Sequence, residues 1–454
     1  MTGWTLVDAP DPAVPSIWSI PEPLKALLFG VLKIGAVVIG ALVITIVMVA
    51  IIRRIAPRVY WWTFGWTLLR IRMAMTWRQL MLNADLTATD RPNTGLLGGL
   101  VVKGRPAVPL FPVLMRFRPR SFGATARIGM HAGQTPDVFI EAAEAMAHAW
   151  RVHAVRVTAT KRGSVNLTIL NDDPLAIDEG QRSAGPHPQP SDVPTAVPAD
   201  LRADVGYRED GLAWVLDLVA FPHWLITGAT QSGKSTLINA AVATWASRPI
   251  ALVGIDCKGG MELAPHLQRL SALACDREEA AEVLTKLVAE ATDRMRLCRE
   301  HRARNIWQLP AEVRPVPVVV IVDELAELYL VAGRHEKDAA LRATTSLLRL
   351  GQLGAALGIH LVVAGQRVGS DLGPGVTALR AQLAGRVCLK VNDSESAKMT
   401  LEDLYPDAVE AAQAIGADEK GVAITTADDS GWVRARPSFF VRLSWMRSSR
   451  TTPG

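Results

Sequence analysis

Trp224-Leu-Ile-Thr-Gly-Ala-Thr-Gln-Ser-Gly-Lys-Ser-Thr236 decides the fold. Trp224 to Thr227 is a short apolar run, and Gly228-(x)4-Gly233-Lys234-Ser235 follows it directly. Leu237, Ala241 and Trp245 then recur at helical spacing. Strand, glycine loop and helix form the setting in which this motif binds phosphate. The backbone N–H groups of Gly228, Ala229, Thr230, Gln231, Ser232 and Gly233, with the first turn at Lys234, Ser235 and Thr236, make an anion cradle for a triphosphate. Lys234 is placed to reach the outer phosphates and the Ser235 hydroxyl to sit on Mg²⁺, so ATP and Mg²⁺ are the expected cofactors. Gly228 and Gly233 permit backbone angles and close approach that a side chain would block. A glycine-rich turn that binds nothing would not need a strand before it and a helix after it.

The second half of the chain alternates strand and helix, which predicts a mostly parallel sheet with helices on both faces. Ile250–Ile255 reads as a strand ending at Asp256, and Asp276-Arg-Glu-Glu279 as a capping box opening a helix to about Arg299. Pro317–Val322 is a fully apolar strand that ends in Asp323-Glu324. Asp323 is placed to hold the Mg²⁺ shell, and Glu324 to polarise the water that attacks the γ-phosphate. The plain alternative makes this pair the N-cap of the next helix. His360–Ala364 is another strand, and Gln366 just beyond it would stand beside the γ-phosphate. Arg386–Val391, Gly421–Thr425 and Gly431–Phe440 supply further strands.

Ahead of this motor the composition changes. Between Arg53 and Arg162 stand fifteen Arg and two Lys against three Asp and two Glu, a local +12 that leaves −7 for the rest of a chain whose total is +5. Bunched basic charge points to a partner with phosphates, either nucleic acid or anionic lipid headgroups. The four cysteines, Cys257, Cys275, Cys298 and Cys388, lie far apart without a CxxC pair, which argues against a disulfide framework or zinc site and fits a reducing cytoplasm. Ile34–Ile52 is free of charge over a length that rises about 28 Å as a helix, enough for a bilayer core. Arg53, Arg54 and Arg58 follow at once, whereas residues 1–23 hold no Lys or Arg. The positive-inside rule then puts the tail outside and the motor in the cytoplasm. Residues 59–82 mix Tyr60, Trp61, Trp62, Trp66 and Trp77 with Arg70, Arg72 and Arg78, as either an interfacial helix or a plain packed one. Residues 112–173 read as a compact βαββ unit: a strand at Leu114–Arg118, a helix from Thr135, and strands at Val155–Thr158 and Val165–Ile169. The expected order is a tail (1–23), a membrane helix (24–52), a juxtamembrane region (53–111), a small α+β domain (112–173), a Pro-rich linker (174–205), the motor (206–446) and a short tail (447–454).

Pro222–Gly228, Ile255-Asp-Cys-Lys258 with Glu262-Leu263, Val322-Asp-Glu-Leu325 and Gly358–Arg367 resemble, in that order, the FtsK/SpoIIIE family of DNA translocases. The family's TQRP departs here to Gly365-Gln366-Arg367-Val368, retaining Gln366. Ala154–Thr158 and the turn at Gly163 are similar to the small domain preceding that motor. The resemblance implies a homo-hexameric ring of RecA-like P-loop ATPase motors threading double-stranded DNA through a basic pore. Arg386 would then be a finger reaching the next subunit's phosphates, or else an ordinary surface arginine. A single span, a short chain and no winged-helix segment make the sequence most like the TraB/Tra proteins of actinobacterial conjugative elements, and the sequence does not name channel partners. Arg334, Lys337 and Arg367, in two loops of the motor, are the candidates for DNA contact. The alternatives are a coupling ATPase for single-stranded DNA, a chromosome-segregation translocase and an EccC-like protein-secretion ATPase.

Overall fold

The computed structural model describes residues 22–89, 109–173, 175, 201–331, 333, 336–401, 406–427 and 431–438. The expected N-terminal tail up to residue 21, nearly all of the linker, Arg334 and everything after residue 438 lie outside the described residues.

Residues up to Arg78 and residues from Gln79 form two compact units. In the first, α1 runs Glu22–Ile55, and α2 (Pro57–Tyr60), a π-helical turn (Trp61–Gly65) and α3 (Trp66–Asn83) follow. The stretch Phe29–Ile55 of α1 is 27 residues long and none of it is buried in the protein. At 1.5 Å per residue it rises about 40 Å, more than the ~30 Å of a hydrocarbon core. By length and composition this helix can cross a membrane, and its uncovered Val37 and Ile44 separate it from the core helix of a soluble domain. Beyond it, Trp61, Gly65, Leu69 and Met73 recur every fourth residue and are buried, yet Trp62, Phe64, Leu68, Ile71 and Met75 are exposed. Apolar side chains thus occupy both the covered and the exposed sides of this segment.

In the second unit, β1 (Ala88–Thr89) pairs with β2 (Pro109–Leu110). The strands β3 (Val113–Arg120), β4 (Gly123–Gly129), β5 (Ala154–Lys161) and β6 (Ser164–Leu170) form an antiparallel sheet in the order β3-β4-β6-β5. Between β4 and β5 lie α4 (Pro136–Glu141) and α5 (Ala143–Trp150), so the unit is ββααββ and not the expected βαββ. The strand missing from the expectation, Gly-Ala-Thr-Ala-Arg-Ile-Gly129, is built of small residues with weak strand preference. Only the alternate burial of Ala124, Ala126 and Ile128 marks it. The expected single helix is broken at Ala142, and Pro136 opens it at a position where a missing N–H costs nothing.

The motor is one ten-stranded sheet. Its strands are β7 (Arg202–Arg208), β8 (Ala213–Asp217), β9 (His223–Thr227), β10 (Ala251–Ile255), β11 (Ala272–Ala274), β12 (Val318–Val322), β13 (Ile359–Gly365), β14 (Gly385–Leu389), β15 (Ala423–Thr426) and β16 (Trp432–Pro437). The order is β11-β10-β12-β13-β9-β14-β15-β16-β7-β8, parallel from β11 to β14 and antiparallel from there on. β7 begins inside the stretch expected to be linker, because the sheet recruits Arg202 to Asp204 by pairing them with β8.

The strands β9, β12 and β13 are buried along their whole length, which is why their sequences are continuous apolar runs. Side chains on β12 alternate between two cores. Val318, Val320 and Val322 pack with residues of α7 (Arg277–Glu300) and α9 (Lys337–Leu357), while Val319 and Ile321 pack with residues of α6 (Lys234–Ala246). Helices therefore cover both faces, as the alternation predicts. Shorter helices complete the motor: α8 (Ala326–Tyr329), α10 (Val376–Arg380), α11 (Ser394–Leu401) and α12 (Pro406–Gln413). The Asp276 side chain caps α7 by accepting from the Glu279 N–H, and Glu279 accepts in turn from the N–H of Cys275, one residue further out than a simple capping box.

Candidate nucleotide site

The carboxyl ends of adjacent parallel strands all open on one edge of the sheet, where ligands bind in such folds. The glycine loop follows β9. Gln366 follows β13, the next strand, and Asp323-Glu324 follow β12 beyond it. Three segments distant in sequence thus meet because the strand order puts them side by side.

Within the loop, Gln231 (φ 64°) and Gly233 (φ 107°) both have left-handed backbone. A Cβ at Gly233 would also come within 2.8 Å of the Gly421 Cα, so glycine is needed there twice over. The loop is pinned from outside: the Ala229 N–H donates to the Lys390 carbonyl at 2.8 Å, and the Gly421 N–H to the Ser232 carbonyl at 2.9 Å. Thr230 and Gln231 are exposed, while Ser235 and Thr236 in the first turn of α6 are half-buried. The Ser232 hydroxyl is buried with no hydrogen-bond partner among the described residues.

Lys234 is buried and donates from Nζ to the Asp323 carbonyl at 2.7 Å. Its Nζ stands 3.7 Å from Asp323 Oδ1 and 3.5 Å from Glu324 Oε2. Burial pushes the Asp323 carboxyl above the ordinary carboxylate range, and the Lys234 ammonium pulls it back. Asp323 Oδ1 is buried without a hydrogen-bond partner. An orphaned buried carboxylate oxygen facing a phosphate cradle fits a divalent cation held between protein and nucleotide. Among the described residues no cluster of three or more His, Cys, Asp or Glu could hold a metal alone, so such an ion would take its other ligands from phosphate, Ser235 and water.

Glu324 is fixed by three neighbours. Its Oε1 accepts the Gln366 N–H at 3.0 Å, and its Oε2 lies 3.5 Å from both Lys234 Nζ and Lys258 Nζ. The plain N-cap reading does not hold. Helix α8 has Leu325 at its N-cap position with no side-chain cap, so both carboxylates point to the site and its lysines. The Gln366 side chain is exposed at this edge.

Lys258 was not among the site residues expected from sequence. Its reach to Glu324 depends on the turn after β10, which Asp256 builds. Asp256 is fully buried and accepts from the N–H groups of Lys258 (3.3 Å), Glu262 (2.8 Å) and Leu263 (3.4 Å). The run Asp256-Cys-Lys258 was visible, but not the fold that brings it beside β12.

Arg386 corrects an expectation. It lies on β14 between β9 and β15 and is only 2% exposed within this chain, so it is not an ordinary surface arginine. Of the DNA-contact candidates, Lys337 is exposed at the first position of α9 and Arg367 is exposed just after Gln366.

Residues 48–171 match the N-terminal domain of actinomycete conjugal transfer proteins, and residues 195–315 and 308–370 match the FtsK/SpoIIIE family. The transfer protein TraSA of Streptomyces ambofaciens is 41% identical over 338 residues, covering 72% of this chain and 78% of that one. The chain is a Tra-like member of the FtsK/SpoIIIE family. DNA translocase FtsK of Streptococcus pneumoniae is 32% identical over 224 residues, 45% of this chain but 28% of its own length, so the likeness is to part of that protein only. Among solved structures, the pCW3 conjugation coupling protein TcpA, in its monomer form with ATPγS, superposes with a TM-score of 0.50 at 18% identity, covering 82% of this chain and 95% of that one. That likeness shows the shared P-loop ATPase fold. Family and fold together make this chain an ATP-binding ATPase.

Proposed function

We propose that this family member is a membrane-anchored motor that spends ATP hydrolysis on moving double-stranded DNA during conjugal transfer. The reading is carried by one observation: Lys234, Asp323, Glu324 and Gln366 converge at the carboxyl ends of β9, β12 and β13 in a chain 41% identical to a transfer protein. The loop from Gly228 to Thr236 wraps the phosphates with its N–H groups, and Lys234 leaves its carboxylate partners to meet them. Ser235 and Asp323 would hold Mg²⁺, which would supply charge neutralisation on the outer phosphates. Glu324, oriented by the Gln366 N–H, takes the proton of the attacking water. Gln366 senses the γ-phosphate from the neighbouring strand. Lys337 and Arg367 grip DNA phosphates without reading bases. In this reading the motors assemble as a homo-hexamer, and α1 crosses the membrane once, with Arg53 and Arg54 on the cytoplasmic side. In the same reading the domains keep the order tail, membrane helix, juxtamembrane region, small domain, linker and motor, with the motor sheet beginning at Arg202.

The test is ATP turnover with no DNA, with single strands and with duplex. Duplex should stimulate most. Glu324→Gln should keep nucleotide binding and lose about 10²–10⁴-fold in turnover, since the amide cannot accept the proton, while Lys234→Ala should weaken binding itself. Stimulation by single strands alone would favour a coupling ATPase, and no response to either would remove DNA as the cargo.

A further inference from the structure

The arginines bunched ahead of the motor are not used by the nucleotide site, and the small sheet shows where several of them go. Paired residues in a sheet share a face. One row across it is Arg118–Thr125–Thr168–Arg156, and the next is Arg116–Arg127–Asn166–Thr158. The opposite face carries the buried Ala124, Ala126, Ile128, Leu167 and Ile169, and α4 and α5 pack on β5 and β6. At the β5 end the arginine face is docked on the motor: Arg156 pairs with Glu209 at 3.2 Å and lies 4.4 Å over the Trp432 ring. At the β3 end Arg116 and Arg118 are exposed, and Arg127 donates from Nε to Asn166 at 2.9 Å.

None of the four strands contains Asp or Glu. Of the two carboxylates just after β6, Asp173 faces His153 at 3.8 Å and Asp172 accepts from Asn171. Arg116 and Arg118 stand about 7 Å apart along an edge strand, with hydroxyl and amide side chains beside them and, among the described residues, no acid paired with them. We infer that this face of the small domain is a second DNA-binding surface, gripping the phosphates of a duplex outside the motor. This rests on the reading that duplex DNA is the cargo. Threonine and asparagine between arginines suit phosphate oxygens. A membrane-lying face would interleave large apolar side chains with the arginines, and here the exposed Val113, Leu114 and Met115 are gathered at one end of the strand.

Full-length protein in nanodiscs of zwitterionic lipid provides the test, with a 30-base-pair duplex as probe and affinity measured across a salt series. Each phosphate contact contributes about 0.9 to the slope of log affinity against log salt. Arg116→Ala with Arg118→Ala should lower that slope by about 1.8 and weaken binding about tenfold, with DNA-free ATP turnover unchanged. Arg116→Lys with Arg118→Lys should retain the slope, which separates charge from packing. In wild type, hydrogen exchange across residues 113–120 should slow when duplex is added. A wild type that binds duplex while the double Ala variant matches it in affinity and slope overturns this inference alone. A wild type without duplex affinity overturns the cargo reading as well. Slower exchange at 113–120 in anionic nanodiscs, with no response to duplex, overturns it in favour of a membrane surface.

Discussion

Two buried histidines at the base of the sheet make the stability of the motor depend on pH. His223 opens β9 and His360 lies on β13; they are 3% and 2% exposed, with ring centroids 6.4 Å apart. The Leu361 N–H donates to His223 Nδ1 at 3.0 Å, so that nitrogen must keep its lone pair. His360 Nδ1 lies 3.1 Å from the Pro222 carbonyl, which only accepts, so that nitrogen carries the proton. Both rings are held neutral. Burial, and for His223 also the facing His360, pushes each pKa from 6.5 down to about 4. The unfolded chain therefore binds protons first as pH falls, and stability is lost between pH 6.5 and 4 and flat above. At pH 5 the linkage relation gives about 2 kcal/mol per histidine, about 4 for the pair, against the 5–15 kcal/mol typical of a domain. The perturbation is His223→Asn with His360→Asn, since asparagine can make either hydrogen bond but cannot titrate. Hydrogen exchange at the amides of β9 and β13, corrected for intrinsic rates, reads the opening free energy. From pH 7.5 to 5 wild type should lose roughly a thousandfold in protection beyond whatever the variant loses. Equal losses in the two proteins would refute the neutral-pair argument.

Other expectations follow from the site and its supports. Lys258→Ala should lower kcat at least tenfold with nucleotide affinity little changed, because Glu324 loses a cation 3.5 Å away, and Lys258→Arg should restore most of it; steady-state kinetics decides. Gly233→Ala should abolish binding of a fluorescent nucleotide while the sheet still melts cooperatively, given the 2.8 Å approach to Gly421. Arg294→Met should cost about 3 kcal/mol in chemical denaturation without touching nucleotide affinity. The 5% exposed guanidinium satisfies the carbonyls of Leu357 and Val316, which the thioether would leave orphaned.

What the sequence made legible was local chemistry. The glycine loop, the apolar run ending in Asp323-Glu324 and the cap at Asp276 each need only a few consecutive residues, and each lies where its spacing puts it. Contacts made by strand order were not legible. Lys258 meets Glu324 across 66 residues of chain, and nothing near either residue encodes that distance. Arg386 reads as a polar surface residue and is instead enclosed between strands. β4 escaped notice because its inward side chains are mostly alanine, so packing and not pattern makes it a strand.

The pairing of β16 with β7 also has a temporal side. Glu209, at the end of β7, and Arg434, on β16, are 225 residues apart in the chain. At about 5–20 residues per second, the ribosome delivers the hairpin of β7 and β8 some ten to fifty seconds before the strand that will flank it. Through that interval β7 offers a bare row of amides and carbonyls to any passing strand. Synthesis of this motor thus inserts β16 late, between β15 and β7, and a nascent chain stalled before Trp432 has no native way to cover that edge.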